Sequence, residues 1–303
     1  MMKKIISLIL ALALILAAAA AAAAEDAPAA AIDKEAFDAL LTEGPVASDE
    51  AIAASEWATK VKNAGVLRVG GTRTSFLFSQ LDETDNGIRG FDAALYQLLA
   101  RYILGDSAKF ELTQVNSSTR EAVLQEDQVD AVFATYSITP SRQEVISFAG
   151  PYYTSQQAIL IKAGNTEITG LESLEGKIVA TQAGSTGPSI LEEYAPKAEV
   201  AEFDDDTAAR TAVELGRADA YVTDYTLILN SIVKNPGKYE VAGDVFGPVD
   251  PYGIGLPKDS DGVAFVNAFL KTIVEDGTWA KIWKIALGDR TGIDTPPEAP
   301  VIE

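Results

Sequence analysis

Residues 130–142 read DAVFATYSITPSR, a short apolar run that leads directly into a hydroxyl-rich turn. The apolar part predicts a strand over 131–134, and Arg142 stands at the far side of the turn. The planar guanidinium of arginine matches a carboxylate through two parallel hydrogen bonds, and nearby hydroxyls and free N–H groups complete such a cradle. The same pattern is also typical of a serine or threonine that caps a helix.

Strands followed by helices recur along most of the chain. β-Branched runs predict the strands, and apolar residues at helical spacing predict the helices. Strands are predicted over 66–70, 109–115, 131–134, 158–162, 177–181, 220–222 and 252–256, and helices over 91–104, 120–125, 188–194, 206–215 and, with a break at Gly277, 263–287. Strands that alternate with helices indicate an α/β protein.

Three more polar clusters follow predicted strands. Residues 182–188 read QAGSTGP, where successive N–H groups before a helix form an anion-binding concavity. Asp224 follows the strand 220–222, where open α/β sheets place ligands, and its carboxylate matches an ammonium group. Residues 116–120 read NSSTR, with hydroxyls and a guanidinium. Each cluster also has a plain structural interpretation as a turn, a helix cap or a helix start.

Composition excludes several classes of function. The 303 residues contain no cysteine and no histidine, which excludes thiolate nucleophiles, disulfides, Cys/His zinc sites and Ser-His-Asp triads. The chain has 24 basic and 44 acidic side chains, and a formal charge of −20 with scattered basic residues argues against nucleic acid as a partner. No pattern in the sequence calls for a metal or a cofactor.

The two ends of the chain have their own patterns. Lys3 and Lys4 precede an apolar stretch, and Ala22 and Ala24 satisfy the small-residue rule for cleavage, so residues 1–24 are predicted to be a signal peptide. A retained membrane helix is the alternative, because about 20 apolar residues span a bilayer. We therefore expect a periplasmic or otherwise extracytoplasmic protein without a lipid-bearing cysteine. Residues 25–63 are predicted to be an acidic solvated spacer with a short helix in 49–63, and residues 290–303 a flexible tail.

In their order and spacing, several motifs make residues 65–288 resemble the polar amino-acid-binding proteins of ABC importers, which are solute-binding proteins of family 3. The motifs that carry the resemblance are Gly90-Phe91-Asp92, Asp130-Ala131-Val132, Ser137-Ile138-Thr139 with Arg142, Pro151-Tyr152-Tyr153, Gly184-Ser185-Thr186, Asp224, Tyr252-Gly253-Ile254 and Asp276-Gly277-Thr278-Trp279. The resemblance implies a two-lobed periplasmic-binding-protein fold of type II that closes on its ligand by a hinge. It implies crossing strands near 154–160 and 248–253, lobe 1 over 64–153 and 251–289, and lobe 2 over 157–247.

The resemblance also implies roles for individual residues. Arg142 and Ser137 would bind the α-carboxylate of the ligand, helped by the backbone at Thr135 and Thr186, and Asp224 would bind the α-ammonium group from the opposite lobe. Ser117 and Arg120 occupy the positions that reach the distal carboxylate in relatives that bind glutamate and aspartate. The site is completed by Ser185 of the Gly-Ser-Thr motif and by Thr72 with the adjacent Arg73, where those relatives carry a second arginine.

These observations predict a monomeric receptor that captures an acidic amino acid, glutamate, and delivers it to a membrane permease without catalysing a reaction. Glutamine or another polar amino acid is an alternative ligand. An extracytoplasmic dehydratase of the cyclohexadienyl type is an alternative function on the same fold, because a fold does not fix a function. A glutamate-sensing domain of a larger receptor is a third hypothesis.

Overall fold

The computed structural model describes residues 31–302, and its strands form a nine-stranded mixed sheet and a three-stranded antiparallel sheet. The strands are β1 (Leu67–Gly71), β2 (Thr74–Ser75), β3 (Ser79–Asp82), β4 (Gly87–Arg89), β5 (Phe110–Gln114), β6 (Ala131–Phe133), β7 (Ser147–Lys162), β8 (Ile178–Gln182), β9 (Glu199–Phe203), β10 (Ala220–Asp224), β11 (Tyr239–Val241) and β12 (Phe246–Leu256). The α-helices are α1 (Lys34–Glu43), α2 (Asp49–Ala53), α3 (Glu56–Ala64), α4 (Phe91–Leu104), α5 (Arg120–Gln125), α6 (Pro140–Gln143), α7 (Gly187–Tyr194), α8 (Asp206–Glu214), α9 (Tyr225–Lys234), α10 (Gly262–Glu275), α11 (Thr278–Trp283) and α12 (Asp289–Thr291).

The large sheet has two parallel halves joined by two long antiparallel strands. Its order is β5-β1-β6-β12-β7-β10-β8-β9, and β11 pairs with β7. In the first half β1 runs parallel to β5 and β6, and in the second half β8 runs parallel to β9 and β10. Strands β7 and β12 pair with each other from Ser147–Leu256 to Gln157–Phe246, so both pass from one half to the other. The predicted two-lobed α/β fold with two crossing strands is confirmed.

Each half has its own hydrophobic core. Lobe 1 buries α4 against α10 and α11, with Phe91, Leu95 and Phe269 fully buried. Lobe 2 buries residues of β7, β8 and β10 on both faces of the sheet, among them Leu160 and Tyr221. The two cores are separate, and the polar turns that follow β1, β6, β8 and β10 lie at the carboxyl ends of parallel strands, where such sheets place their ligands.

The solvated spacer predicted for residues 25–63 is wrong where the structure describes it. Helix α1 buries Phe37, Leu40 and Leu41 in the core of lobe 1, and α3 adds Trp57 and Val61. Side-chain caps from residues 33, 48 and 55 begin the three helices α1, α2 and α3. The short helix predicted within 49–63 is present as α2 and α3. The apolar residues of α1 also follow helical spacing, and the high content of alanine and acidic residues concealed them. The predicted signal peptide 1–24 and residues 25–30 lie outside the described residues.

The predicted flexible tail is also wrong. Arg290 is buried, and the hydrophobic residues Ala299 and Ile302 pack against the core of lobe 1 although residues 292–302 form no regular element. Other elements were not predicted: the small sheet of β2, β3 and β4, and the strands β9 and β11. Helix α9 follows Asp224, where the alternative interpretation of this residue as a helix cap places a helix start. Within residues 31–302, every helix is too short or too polar to cross a bilayer.

Candidate ligand-binding site

A cavity of about 490 Å³ lies between the two lobes at the carboxyl ends of the parallel strands. This volume is within the range of small-molecule sites. Eight of the ten predicted site residues line it: Thr72, Ser117, Arg120, Thr135, Ser137, Ser185, Thr186 and Asp224. The two predicted residues that do not line this cavity, Arg142 and Arg73, are both arginines.

Arg120 is the first residue of α5 and only 4% exposed. Its Nη1 donates to the carbonyl of Ala134 at 3.0 Å, its guanidinium carbon lies 4.0 Å from the centre of the Tyr136 ring, and its Nε has no hydrogen-bond partner. Burial, and secondarily the charge of Arg142, lower the pKa of Arg120 to about 10. No carboxylate among residues 31–302 forms an ion pair with it. The cavity wall thus holds a buried cation that has no direct ion-pair partner, and the charges of Glu121 and Asp224 act on it only from a distance.

Arg142 does not line this cavity, contrary to expectation. It lines a second cavity of about 660 Å³, which shares Gln157, Ser185 and Thr186 with the first. Its Nη1 donates to the carbonyl of Ser137 at 2.9 Å and its Nη2 to the carbonyl of Gly184 at 3.0 Å.

The position of Arg142 follows from its local structure. Helix α6 has four residues, so the side chain of Arg142 folds back onto the turn that begins at Ser137. Its Nε lies 3.3 Å from a carboxylate oxygen of Glu121. Because Gly184 belongs to lobe 2, Arg142 bridges the two lobes from a position beside the first cavity.

Arg73 is not among the residues that line either cavity. Its Nη2 donates to the carbonyl of Leu112 at 2.8 Å, on the side of β5. Thr72 faces the cavity, since successive side chains in an extended segment point to opposite sides. The loop that follows β1 therefore contributes the hydroxyl of Thr72 to the cavity wall and no cationic side chain.

Asp224 is the last residue of β10 and stands at the N-cap position of α9, yet its side chain does not cap the helix. It accepts hydrogen bonds from the hydroxyl of Tyr252 at 2.6 Å and from Nε2 of Gln157 at 2.5 Å. Both donors are neutral groups, so neither forms an ion pair with the carboxylate. Burial raises its pKa.

Asp250 of the crossing strand β12 adds a second carboxyl group beside Asp224. It accepts a hydrogen bond from the Ser137 hydroxyl at 2.9 Å. Burial, and then the charge of Asp224, raise the pKa of Asp250 to about 8. At neutral pH this pair therefore carries about one negative charge, because two adjacent carboxylates in a buried site do not both ionise.

Sequence reasoning missed Asp92 and Asp206 as parts of the cavity wall. Asp206 is neutralised by an ion pair with Arg210, whose Nη1 lies at 2.6 Å. Asp92 is 1% exposed, accepts the N–H of Thr135 at 3.0 Å and the hydroxyl of Tyr152 at 2.8 Å, and its pKa is raised to about 7 by burial. The signal that could have found Asp92 is a carboxylate on the buried face of α4. The Thr135 N–H is therefore occupied, and Thr135 offers its hydroxyl and carbonyl to a ligand.

The two lobes are in contact around the cavity. The N–H of Leu77 in lobe 1 donates to Oδ1 of Asn230 in lobe 2 at 2.6 Å, and the hydroxyl of Ser118 donates to the carbonyl of Ala183 at 3.0 Å. Three buried polar atoms of the wall have no partner: Ser75 Oγ, Arg120 Nε and Gln157 Oε1. Buried polar groups normally have partners, so these three atoms are the ones that a bound molecule would satisfy.

Comparisons with known proteins agree with this architecture. The family model of bacterial extracellular solute-binding proteins, family 3, matches residues 67–288. The ABC transporter glutamine-binding protein GlnH of Bacillus subtilis (strain 168) is 34% identical over 210 residues, which are 69% of this chain and 76% of that protein. The glutamate-binding protein GluB of Corynebacterium efficiens is 30% identical over 220 residues, 69% of this chain and 74% of that protein. The crystal structure of the cysteine-binding protein from Campylobacter jejuni superposes with a TM-score of 0.75 at 22% identity, covering 81% of this chain and 99% of that one.

Proposed function

The chain belongs to family 3 of the bacterial extracellular solute-binding proteins, which bind amino acids for ABC importers, and on that premise we propose that its ligand is the acidic amino acid glutamate. In this proposal the protein captures free glutamate between its lobes outside the cytoplasm and delivers it to a membrane permease. The amino acid is held and released unchanged.

The observation that carries the proposal is the uncompensated guanidinium of Arg120. A buried charge without a partner is costly, so the site is completed by an anionic group of the ligand. Three other carboxyl groups line the wall. Asp206 is paired with Arg210, the raised pKa of Asp92 reduces its charge near neutral pH, and the exposed Asp205 accepts the N–H of Ala208 at the start of α8. The buried charges that remain facing the ligand are the cation of Arg120 on lobe 1 and the carboxylate of Asp224 on lobe 2.

Glutamate complements this arrangement at three points. Its α-ammonium group would pair with Asp224, and its side-chain carboxylate would pair with Arg120 and Ser117, as the family resemblance implies for these positions. The α-carboxylate would lie where the two cavities meet, among Ser137, Thr186 and the nearby Arg142. Because the charges sit on opposite lobes, only a ligand that touches both stabilises the closed form.

Glutamine is the second candidate, and one observation favours it. Both Nη atoms of Arg142 donate to backbone carbonyls, those of Ser137 and Gly184. If Arg142 keeps those bonds in the complex, Arg120 is the guanidinium that faces the α-carboxylate, and the ligand then carries a neutral side chain. The two candidates differ in which carboxylate meets Arg120.

A calorimetric and thermal-shift experiment tests the proposal. The protein without residues 1–24 is screened against the twenty amino acids, because a ligand that binds only the folded state raises the melting temperature. Glutamate is expected to give the largest shift and, in calorimetry, at least about tenfold tighter binding than glutamine. Tighter binding of glutamine would favour the second candidate, and no shift with any amino acid would overturn the proposal. Incubation with prephenate or arogenate tests the dehydratase alternative, which predicts turnover.

A further inference from the structure

One residue of the cavity wall has an unusual backbone conformation. Four non-glycine residues among those described have a positive φ: Asn86, Asp127, Thr135 and Asp259. Asparagine and aspartate tolerate the left-handed region, whereas a β-branched residue there is a genuine outlier. Thr135, at φ +42°, is the β-branched member and the one that lines the ligand cavity. Something in the surrounding structure must therefore hold it in this conformation.

The peptide group between Ala134 and Thr135 is held at both of its ends. Its carbonyl oxygen accepts Nη1 of Arg120 at 3.0 Å, and its N–H donates to Oδ2 of Asp92 at 3.0 Å. A cation on the oxygen and a carboxylate on the N–H both favour the same orientation of the peptide dipole. Hydrogen bonds to charged groups are stronger than those between neutral groups. These two contacts therefore stabilise the observed orientation of the peptide more than the neutral hydrogen bonds of an ordinary turn would.

Asp92 is itself fixed in place. It lies in the first turn of α4 with 1% of its surface exposed, and its other carboxylate oxygen accepts the hydroxyl of Tyr152 at 2.8 Å. Tyr152 is on the crossing strand β7, so the carboxylate connects α4, β7 and the end of β6. Beyond Thr135 the chain continues to Ser137, which pairs with Tyr252 of β12 and lines the cavity.

We propose that Asp92 is a positioning residue of the ligand site: through the N–H of Thr135 it holds the Ala134–Thr135 peptide in the orientation that turns Thr135 and Ser137 toward the ligand. This inference rests on the proposed function for its effect on binding. Its effect on the peptide itself is independent of any ligand. The two parts are therefore tested separately.

The ligand-free test is an NMR titration of the Thr135 amide between pH 5 and pH 9. Burial raises the pKa of Asp92 to about 7, so the amide shift is expected to titrate with a midpoint near 7 and to stop doing so in Asp92→Asn. The neighbouring Tyr96 and Tyr152 have pKa values raised above this range by burial, and that of Arg120 is about 10. Asp224 lines the same cavity, and Asp250, with a pKa of about 8, accepts the Ser137 hydroxyl; the Asp92→Asn control separates Asp92 from both. A Thr135 amide shift that is the same at every pH in the wild type and in Asp92→Asn would overturn the proposal.

The binding test is a double-mutant cycle measured with glutamate by calorimetry. Asp92→Ala is expected to weaken binding about ten- to hundredfold, the loss of one hydrogen bond to a charged group. Because glycine adopts a positive φ without strain, the same change in a Thr135→Gly background is expected to cost less than about threefold. Tyr152→Phe removes the hydrogen bond that fixes the other oxygen of Asp92, and it is expected to weaken binding less than Asp92→Ala does because the bond to the Thr135 N–H remains.

The outcomes separate the two proposals. Equal losses from Asp92→Ala in both backgrounds, or unchanged binding by a folded Asp92→Ala protein, would overturn the positioning role. If Asp92→Ala does not fold, Asp92→Asn replaces it in the cycle, with an expected loss of about three- to tenfold because a neutral amide oxygen is the weaker acceptor. If the wild-type chain binds no amino acid, the proposed function fails, and the titration of the Thr135 amide alone decides the role of Asp92.

Discussion

Two buried arginines contact the same tyrosine ring and differ in what surrounds their guanidinium groups. Arg120 lies 4.0 Å from the centre of the Tyr136 ring and keeps an unpartnered Nε at the first cavity, between the lobes. Arg142 lies 5.1 Å from that centre and is committed to two carbonyls and to Glu121 at the second cavity. The two residues thus share their type and their burial, and they differ in their hydrogen-bond partners. Arg120 has an unpartnered Nε at the cavity, whereas Arg142 connects the lobes.

The largest effect is expected from Arg120→Met, which keeps most of the side-chain volume and removes the charge. Glutamate affinity should fall at least about hundredfold, because an ion pair in a buried site loses one partner, whereas glutamine affinity should fall about tenfold or less. Calorimetry with both amino acids measures the ratio. The melting temperature without ligand is the control and should stay equal or rise, since an uncompensated buried charge is removed. An unchanged glutamate-to-glutamine ratio would make the side-chain assignment wrong.

A smaller and less selective effect is expected from Arg142→Gln. The bridge from Ser137 to Gly184 is weakened, so the closed form is less populated and every ligand loses affinity by the same factor, about tenfold. Calorimetry with glutamate and glutamine tests whether their ratio stays constant. The family resemblance implies instead that Arg142 binds the α-carboxylate directly. Complete loss of binding for all amino acids would support that direct role and contradict the bridging role.

The smallest effect is expected from Glu121→Gln, which removes the counter-ion of Arg142 alone. The Glu121 side chain is 33% exposed, and partly exposed ion pairs contribute about 0–1 kcal/mol. The hydroxyl of Tyr136 donates to Glu121 and can donate equally to the amide oxygen of glutamine. Thermal unfolding and calorimetry should therefore give a free energy of unfolding within about 1 kcal/mol of wild type and affinities within about threefold. A loss as large as that of Arg142→Gln would show that Glu121, rather than the carbonyls, positions Arg142.

Local patterns predicted regular elements well where one local signal was strong. Helix α4 spans Phe91–Leu104 and helix α5 Arg120–Gln125, both as predicted, because apolar spacing and a clear start coincide there. Strand β7 has sixteen residues, whereas the predicted strand covered only 158–162. Its first part carries Pro151 and polar residues, and it is a strand because β12 pairs with it along its length. Long-range pairing of this kind leaves no periodic signal in the sequence.

Helix α1 shows the opposite kind of error: a periodic signal is present in its sequence, and it was not recognised. Phe37, Leu40 and Leu41 follow helical spacing, but alanine and acidic residues dominate the segment and concealed that pattern. Their burial depends on the surface that α4 and α11 offer, which is assembled from residues far away in the chain. Composition describes an average over a segment, whereas packing depends on a few positions within it.

The sequence by itself determined the α/β class, which follows from local periodicity. Motifs shared with a known family implied the two crossing strands and eight residues that line one cavity. Only the tertiary structure decided that Arg120 faces the cavity, that Arg142 bridges the lobes beside it, that Arg73 points away, and that Asp92 holds the backbone of Thr135. The physical reason is that the role of a charged side chain depends on the groups that surround it in space. Those groups come from elements that are distant in the sequence and, for Arg142, from both lobes.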